Sequence, residues 1–405
     1  MRKVLCMGVL LCGLASLALA APVTFQSAWE SLPETWPATG YEETLRGFPE
    51  LRAIYFAGPK YQDRATRVFA YYGLPKETAE KSVPGVVLVH GGGGTAFAVW
   101  VQQWVARGYA AIALDCNGAR PNPASPGPFK EQYFFHEDGG PPGWGGFGQM
   151  DAPTPDHWVS QSVASIALAH TLLRSFPGVD PKRTAITGIS WGGFLTCIAA
   201  GVDQRFACAA PVYGCGFIAK DSAWEKTFSA MSPEAVAVWN RDYDPSAYIP
   251  KTTMPSLWVN GTNDFAYWME NWQRSYRLTP GPRTLCMRVN MNHSHQHGWA
   301  PKEIAAFVDH HLRDAPPLTR ATRQGVKNNR AWAKFKAKAP VKSAQFHYTT
   351  DTGPSPERQW HSVDVALSSN ARRVEAALPE GTKLYFFTLT DTRGLLVSTE
   401  HGVVE

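Results

Sequence analysis

The sequence predicts an α/β protein with a mostly parallel sheet, followed by a small all-β region. Between Arg67 and Leu312, short apolar runs alternate with stretches of helical periodicity, which is typical of strands connected by helices. After Pro316 the helical signals stop and short alternating strands replace them. The chain has 405 residues, of which 44% are hydrophobic and 18% charged, so the composition excludes wholesale disorder and a fibrous repeat.

The first twenty residues predict a secretory signal peptide. Met1-Arg2-Lys3 is a basic start, residues 4–19 form an apolar stretch, and Ala18-Leu19-Ala20 supplies the small residues expected before cleavage at Ala21. The alternative, a membrane anchor, is less favoured because the apolar stretch is short and is followed by Pro22 and polar residues. We therefore expect an exported protein, periplasmic or secreted, without stable membrane insertion.

The elements of the first domain, residues 21–315, follow in order along the chain. We expect strands at residues 67–72, 85–89, 109–114, 184–187, 207–213, 256–260 and 285–290. We expect helices at residues 97–106, 159–176 and 191–200, and a closing helix from Pro301 to Leu312. A Pro/Gly-rich insertion, residues 121–155, is too long for a plain connection, so we expect it to border a site.

Residues 316–405 predict a small C-terminal β-sandwich domain. The region opens on a basic stretch with Arg320, Arg323, Lys327 and Arg330. Alternating segments follow, such as residues 344–348, and residues 384–389 have the composition of a strand that is buried on both faces. No constellation of chemical groups stands out here, so we expect a structural role.

Charge and cysteine content narrow the range of partners. The formal net charge is only +5, so the sequence does not call for nucleic acid. Two of the seven cysteines lie in the leader, and the remaining five have no C-x-x-C spacing; these are Cys116, Cys197, Cys208, Cys215 and Cys286. Neither a zinc site nor a disulfide framework is indicated.

Gly188-Ile189-Ser190-Trp191-Gly192 fits the pattern G-x-S-x-G. It lies between a predicted strand and a predicted helix, where a sharp turn projects a serine hydroxyl and leaves no room for side chains at the flanking positions. We therefore predict that Ser190 is a nucleophile. On its own the pentapeptide is a weak signal, and the alternative is a serine that caps a helix.

A glycine-rich segment, His90-Gly91-Gly92-Gly93-Gly94, directly follows the strand predicted at 85–89. In such a fold, this position supplies backbone amides that stabilise a developing oxyanion. The alternative is a phosphate-binding loop. It is less favoured because no Lys-Ser/Thr follows the glycines and no GxGxxG pattern is present.

Two further residue types complete the chemistry. Asp264 follows the strand predicted at 256–260, and we favour it as the acidic partner over Asp221 and Asp244 because of its place in the chain order. After the last predicted strand come three histidines, and we favour His293 as general base because it lies nearest the strand end. His295 is the second candidate, and His297 is expected to line the pocket.

The three histidines also raise the possibility of a metal site. At spacings of i, i+2 and i+4 they would share one face of an extended chain. No H-E-x-x-H motif occurs, and no aspartate follows in the spacing of dinuclear hydrolases. We therefore predict no metal and no other cofactor.

The chain order Ser190, Asp264, His293 is that of α/β-hydrolases. With His90-Gly91-Gly92 and the elbow around Ser190, the sequence between Arg67 and Leu312 resembles the acetyl xylan esterase and cephalosporin-C deacetylase branch, related to the prolyl oligopeptidase catalytic domain. The resemblance implies that the Gly92 and Trp191 amides form the oxyanion hole, with Gly93 as an alternative to Gly92.

The resulting expectation is an exported serine carboxylesterase that removes small acyl groups, above all acetyl, from carbohydrate. Phe265, His295 and Trp299 are the residues expected to contact the substrate. One alternative is a serine peptidase of the prolyl oligopeptidase type, although the segment before His90 is too short for that family's propeller. The other is a non-catalytic glycan-binding protein on a hydrolase fold. Oligomeric state is left open.

Overall fold

A computed structural model describes residues 31–79, 81–124, 133–367 and 372–404. The predicted leader lies outside the described residues. The strands up to the last parallel one are β1 (Thr35–Pro37), β2 (Leu51–Ala57), β3 (Arg67–Gly73), β4 (Val83–Val89), β5 (Ala110–Leu114), β6 (Ala119–Pro121), β7 (Tyr133–Phe135), β8 (Val179–Ile189), β9 (Cys208–Val212), β10 (Ser256–Gly261) and β11 (Arg283–Arg288). The later strands are β12 (Arg320–Lys327), β13 (Arg330–Lys336), β14 (Val341–Thr349), β15 (His361–Val365), β16 (Arg373–Ala377), β17 (Leu384–Asp391), β18 (Leu396–Ser398) and β19 (Gly402–Val403).

The α-helices all precede the C-terminal strands in the described part of the chain. They are α1 (Ala98–Val105), α2 (Trp158–Ser175), α3 (Trp191–Val202), α4 (Glu225–Ser229), α5 (Pro233–Asp242), α6 (Met269–Arg277), α7 (His295–Trp299) and α8 (Lys302–Arg313). The helices predicted at 97–106, 159–176, 191–200 and 301–312 correspond to α1, α2, α3 and α8. The helices α4 to α7 were not predicted.

The central sheet has a parallel middle. Its strand order is β1-β2-β3-β5-β4-β8-β9-β10-β11, continued by β18-β17-β14-β15. The strands β5, β4, β8, β9, β10 and β11 run parallel to one another, whereas β1, β2 and β3 pair antiparallel. The predicted, mostly parallel sheet is thereby confirmed. Because parallel strands end at one edge, the loops after β4, β8, β10 and β11 lie close together.

Helices cover the parallel strands, which explains why these strands are apolar throughout. β4, β5 and β9 are buried at every position, as expected for strands enclosed on both faces. α2 and α3 pack against each other and against β8, and α1 packs against β5. Arg313, at the end of α8, donates hydrogen bonds to the carbonyl oxygens of Arg107 and Gly108, which links α8 to the turn after α1.

The C-terminal strands fall into two groups. β12, β13 and β16 form a separate three-stranded sheet, whereas β14, β15, β17, β18 and β19 extend the central sheet. The extension passes through β18, where Ser398 pairs with Leu285 of β11 and its hydroxyl accepts a hydrogen bond from the Met287 amide at 3.0 Å. A separate β-sandwich domain remains a prediction, and the structure adds that one of these strands, β18, is hydrogen-bonded to the last parallel strand, β11.

Two further features bear on the sequence-based expectations. The five cysteines after residue 20 are all buried and free in the structure. Within the described ranges, no helix combines the length and the apolar composition that crossing a membrane requires.

Candidate active site

Ser190 lies in the sharp turn between β8 and α3. Its backbone has φ 58° and ψ −120°, a conformation that non-glycine residues adopt only under strain. A Cβ atom at Gly188 would lie 2.2 Å from the carbonyl oxygen of Gly192, and one at Gly192 would lie 2.1 Å from that of Val89. Both contacts are shorter than any real packing distance, so the turn that exposes the serine requires both glycines.

A hydrogen-bonded chain connects Ser190 to His293 and Asp264. His293 Nε2 lies 2.9 Å from Ser190 Oγ, and His293 Nδ1 lies 2.6 Å from Asp264 Oδ2. Because a carboxylate only accepts hydrogen bonds, Nδ1 carries the proton and the Nε2 lone pair faces the serine hydroxyl. Asp264 is buried, and its Oδ1 accepts from the amides of Ala266 and Tyr267 at 2.9 and 2.7 Å, which holds the carboxylate in place.

Two aromatic rings hold the imidazole of His293. Tyr213 stacks on it at a centroid distance of 4.4 Å and an interplanar angle of 25°, and Phe265 lies 4.8 Å away. The Tyr213 hydroxyl donates to the carbonyl oxygen of Asn292 at 2.6 Å, next to His293 in the chain. Tyr213 was not predicted; its only sequence signal is its position directly after β9, at the same edge of the sheet.

His90 fixes the first turn of the glycine-rich loop. Its Nε2 accepts a hydrogen bond from the Cys116 amide at 2.9 Å, so its proton is on Nδ1, which donates to the carbonyl oxygen of Gly91 at 2.9 Å. Burial lowers the pKa of His90 to about 4, which keeps this arrangement neutral at pH 7. In a trans peptide the N–H points opposite to the C=O, so the anchored Gly91 carbonyl also sets the direction of the Gly92 N–H.

His295 contacts the same loop from the other side. Its Nε2 accepts a hydrogen bond from the Gly91 amide at 2.9 Å, and its ring packs on Phe97 at 4.8 Å. Burial lowers the pKa of His295 to about 3. A Cβ atom at Gly94 would lie 2.8 Å from the His295 ring, which explains the glycine there. The basic nitrogen of His295 is thus occupied by the loop, and the structure places His293, not His295, beside Ser190.

Two backbone amides at this loop are available as donors. The Gly92 N–H and the Trp191 N–H form no hydrogen bond to any residue that the structure describes. Trp191 is the first residue of α3, whose initial amides have no partner within the helix and carry its positive partial charge. The pair matches the predicted oxyanion donors, and such donors stabilise the negative oxygen of a tetrahedral intermediate.

The remaining predicted residues occupy different surroundings. Phe265 is 59% exposed and borders His293, whereas Trp299 is half-buried, with its ring 5.5 Å from Phe97 and 5.4 Å from Trp100. His297 is exposed, with Nδ1 at 2.8 Å from the Ser294 hydroxyl.

The two rival aspartates lie elsewhere. Asp244 accepts hydrogen bonds from the amides of Phe217 and Ser246 at 2.9 and 2.8 Å, and Asp221 has a strained φ of 52°. The hydrogen bonds of His293 therefore select Asp264 among the three aspartates.

Part of the Pro/Gly-rich insertion borders the glycine-rich loop, as expected from its length. Trp144 lies 3.8 Å from the position of a Cβ atom at Gly92, and its ring is 5.7 Å from that of His90. Phe147 contacts the Trp191 ring at 6.0 Å. Neither aromatic residue was predicted to belong to the site. Residues 125–132 of the insertion lie outside the described residues.

Sequence-family comparisons match two overlapping parts of the chain. Residues 50–227 match the acetyl xylan esterase family, and residues 156–313 match the prolyl oligopeptidase family. The first range includes the glycine-rich loop and Ser190, and the second includes Ser190, Asp264 and His293. The predicted resemblance to the esterase branch, and its relation to the prolyl oligopeptidase catalytic domain, are confirmed. No curated protein matches the sequence.

Solved structures provide an independent comparison. Acetyl xylan esterase from Paenibacillus sp. R4 is 19% identical, with a TM-score of 0.55 over 71% of this chain and 92% of its own. Acetyl xylan esterase 1 from Thermoanaerobacterium sp. JW/SL YS485 is 15% identical, with a TM-score of 0.51 over 71% of this chain and 94% of its own. At these identities the likeness shows the fold, and the predicted α/β-hydrolase fold is confirmed.

Proposed function

We propose that this chain, a serine carboxylic ester hydrolase resembling the acetyl xylan esterases, removes small acyl groups, chiefly acetyl, from carbohydrate. We assign Ser190 as nucleophile, His293 as general base and acid, and Asp264 as the residue that holds the imidazole. The amides of Gly92 and Trp191 form the oxyanion hole. The enzyme requires no metal or cofactor for this chemistry.

The reaction proceeds through an acyl-enzyme. The Ser190 Oγ–H proton moves to His293 Nε2 while Oγ attacks the ester carbonyl carbon, and the two amides stabilise the oxyanion. Collapse of this intermediate breaks the bond to the sugar oxygen, which takes the proton from Nε2. A water molecule then gives its proton to Nε2 and attacks the acyl group. The free acid leaves, and Ser190 regains its hydrogen.

One observation carries the assignment: Ser190 Oγ, His293 and Asp264 form a continuous hydrogen-bonded chain beside two backbone amides that have no partner among the described residues. The serine, the imidazole, the carboxylate and the two amides catalyse the reaction only together. The imidazole needs the carboxylate to hold its tautomer, and the attacking oxygen needs donors where the negative charge develops.

The aromatic surroundings support a short acyl group. Trp191 is buried and packs against Trp158 and Trp224 at 5.5 and 4.6 Å, while Trp144 and Phe147 approach from the insertion. These rings limit the space beside the oxyanion loop, which favours acetyl over longer acyl chains. The exposed ring of Phe265 next to His293 offers an apolar surface on which a sugar could lie.

A serine peptidase is the second candidate, favoured by the match of residues 156–313 to the prolyl oligopeptidase family. The described residues before His90 form β1 to β4 of the central sheet rather than a propeller. The peptidases of that family use a propeller to gate substrate entry, so this arrangement favours the esterase. Export of the protein is part of the proposal and is supported by the signal-peptide pattern of residues 1–20.

A substrate panel tests the proposal. Wild-type protein and Ser190→Ala are assayed with p-nitrophenyl acetate, acetylated xylo-oligosaccharides and a dipeptide anilide. We expect the wild type to cleave both esters and the variant to lose this activity. Ester turnover that survives the substitution would contradict the serine mechanism, and cleavage of the anilide alone would identify a peptidase.

A further inference from the structure

The net positive charge of this protein is concentrated at the C-terminal end of the chain. Residues 316–405 contain 13 Lys or Arg and eight Asp or Glu, whereas residues 1–315 contain 26 of each. Residues 320–342 alone contain eight Lys or Arg and no acidic residue. This segment comprises β12, β13 and the start of β14. The formal net charge of +5 therefore belongs entirely to the C-terminal region, and a charge asymmetry of this size indicates an acidic partner.

The strand periodicity of the three-stranded sheet places these cations on one side. In β13, Ala331, Ala333 and Phe335 are buried, whereas Arg330, Lys334 and Lys336 are exposed. Residues directly opposite each other in adjacent strands share a face. The exposed side, called the basic face below, therefore comprises Arg320, Arg323 and Lys327 of β12, Arg330, Lys334 and Lys336 of β13, and Arg373 of β16.

Cations lie directly opposite one another across the β12–β13 pair. The register pairs Arg320 with Lys336, Arg323 with Lys334, and Lys327 with Arg330. Like charges in such positions destabilise a sheet. An arrangement repeated three times on an exposed face is therefore unfavourable for folding, unless a ligand of opposite charge occupies the face.

The sheet itself supplies little countercharge. Glu375 of β16 is the acidic residue opposite Trp332 on this face, and it forms ion pairs with Arg330 and Arg373. Among the described residues, no ion pair involves the other five cations, which are Arg320, Arg323, Lys327, Lys334 and Lys336. These side chains are exposed and accessible to a partner of opposite charge.

The face also has a shape suited to an extended polymer. Same-face residues along a strand are about 7 Å apart, so the three cation pairs form a row of about 20 Å along the strands. Trp332 lies between them over Gly325, where a Cβ atom would approach the ring to 3.2 Å. The Arg373 guanidinium covers the Trp332 ring at 4.7 Å, so a cation lies over the aromatic ring as well.

We propose that the basic face binds an anionic polysaccharide, whose carboxylate groups contact the paired cations. The inference rests on the proposed function, because an esterase that acts on carbohydrate meets its esters on such a polymer. Holding the polymer on a second surface of the same chain raises the effective concentration of ester at the active site.

The composition of the face favours a polysaccharide over other polyanions. Proteins that bind single-stranded nucleic acid stack bases on exposed aromatic rings, and the one ring on this face is covered by Arg373. Docking on an anionic membrane would need apolar side chains to insert beside the cations, and the outward positions of β13 carry Lys and Arg around Trp332.

Binding is measured on the full-length Ser190→Ala protein, so that no ester is consumed, by titration with polygalacturonate at 50 mM NaCl. The test variant adds Lys327→Gln, Lys334→Gln and Lys336→Gln. The matched control adds Lys60→Gln, Lys182→Gln and Lys251→Gln, which remove three exposed lysines from the first domain. Neutral xylan, duplex DNA and phosphatidylglycerol vesicles serve as competing ligands.

We expect polygalacturonate to bind with an affinity that falls at least tenfold in the test variant, stays unchanged in the control, and weakens as NaCl rises. Equal affinity in both variants, tighter binding to DNA or vesicles, or equal binding to neutral xylan would overturn the inference. The same lysine substitutions made with Ser190 intact should leave p-nitrophenyl acetate turnover unchanged, which also shows that the fold is intact. The proposed function has its own test: it would be contradicted if turnover of p-nitrophenyl acetate were insensitive to Ser190→Ala, whatever the result of the binding experiment.

Discussion

The active-site edge and the basic face use polar side chains in opposite ways. Asp264 is 1% exposed and each of its oxygens accepts a hydrogen bond, whereas Lys334 and Lys336 are exposed and have no ion-pair partner among the described residues. Burial makes hydrogen bonds directional and strong at the first site. Because its side chains are exposed, binding at the basic face depends on charge density and on the salt concentration. Changes at the active site should therefore alter rates, and changes on the basic face should alter affinity.

The largest effect is expected from removing the nucleophile or the base. Ser190→Ala and His293→Ala should each lower kcat for p-nitrophenyl acetate by roughly 10⁴- to 10⁶-fold, because the members of such a unit act together. The double variant should be no slower than either single one. Steady-state kinetics on all three proteins check this, and additive losses would show that the two residues act independently.

Asp264→Asn tests the buried carboxylate. The amide oxygen can accept from the same backbone amides, but an asparagine no longer enforces the proton on His293 Nδ1. We expect kcat to fall by roughly 10³- to 10⁴-fold with little change in KM. Asp221→Asn is the matched control and should keep wild-type kinetics. If both variants were equally active, Asp264 would not be the partner of His293.

His295→Ala tests the anchoring of the oxyanion loop. Losing the acceptor for the Gly91 amide should loosen the loop and lower kcat by roughly 10- to 100-fold, less than the loss of an oxyanion donor itself. KM should change little, because the donors act mainly on the transition state. His295→Gln offers an amide oxygen and should recover part of the rate. His297→Ala, two residues away and exposed, should be silent; a loss of similar size there would point to disruption of α7 as a whole.

Acid should destabilise the fold through its buried histidines. Burial lowers the pKa of His90 and His347 to about 4 and that of His401 to about 3. Their folded-state pKa values lie below the unfolded value near 6.5, so the unfolded chain binds more protons and stability falls as pH drops below 6.5. Each should contribute a loss of about 1 kcal/mol between pH 7.5 and 5.5.

Urea unfolding at the two pH values measures this effect. Burial also raises the pKa values of Asp115 and Asp244, and these two carboxyl groups should stabilise the fold as the pH falls. Eight histidines have lowered pKa values, so the destabilising contribution should be the larger one. A free energy of unfolding that is equal or higher at pH 5.5 would contradict this assignment of neutral, buried imidazoles.

Much of the catalytic region was predictable because its signals are local. A strand-to-helix turn around Ser190 needs glycines at fixed positions, and the strands β4 and β8 need continuous apolar runs. The helices α4 to α7 were missed, since they lie in connections whose pattern is less regular. The roles of Tyr213, Trp144 and His90 were not predictable, because each depends on a contact between segments that are distant in the chain.

The sequence by itself determined the order of the chemical groups and the places where only glycine fits, since both follow from short-range sterics and strand polarity. It also determined the excess of cations after residue 316. The tertiary structure alone decided which histidine faces Ser190 and which one anchors the loop. It also decided that cations from two strands lie opposite one another. The physical reason is that imidazole protonation, hydrogen-bond direction and cross-strand pairing depend on neighbours brought together by folding.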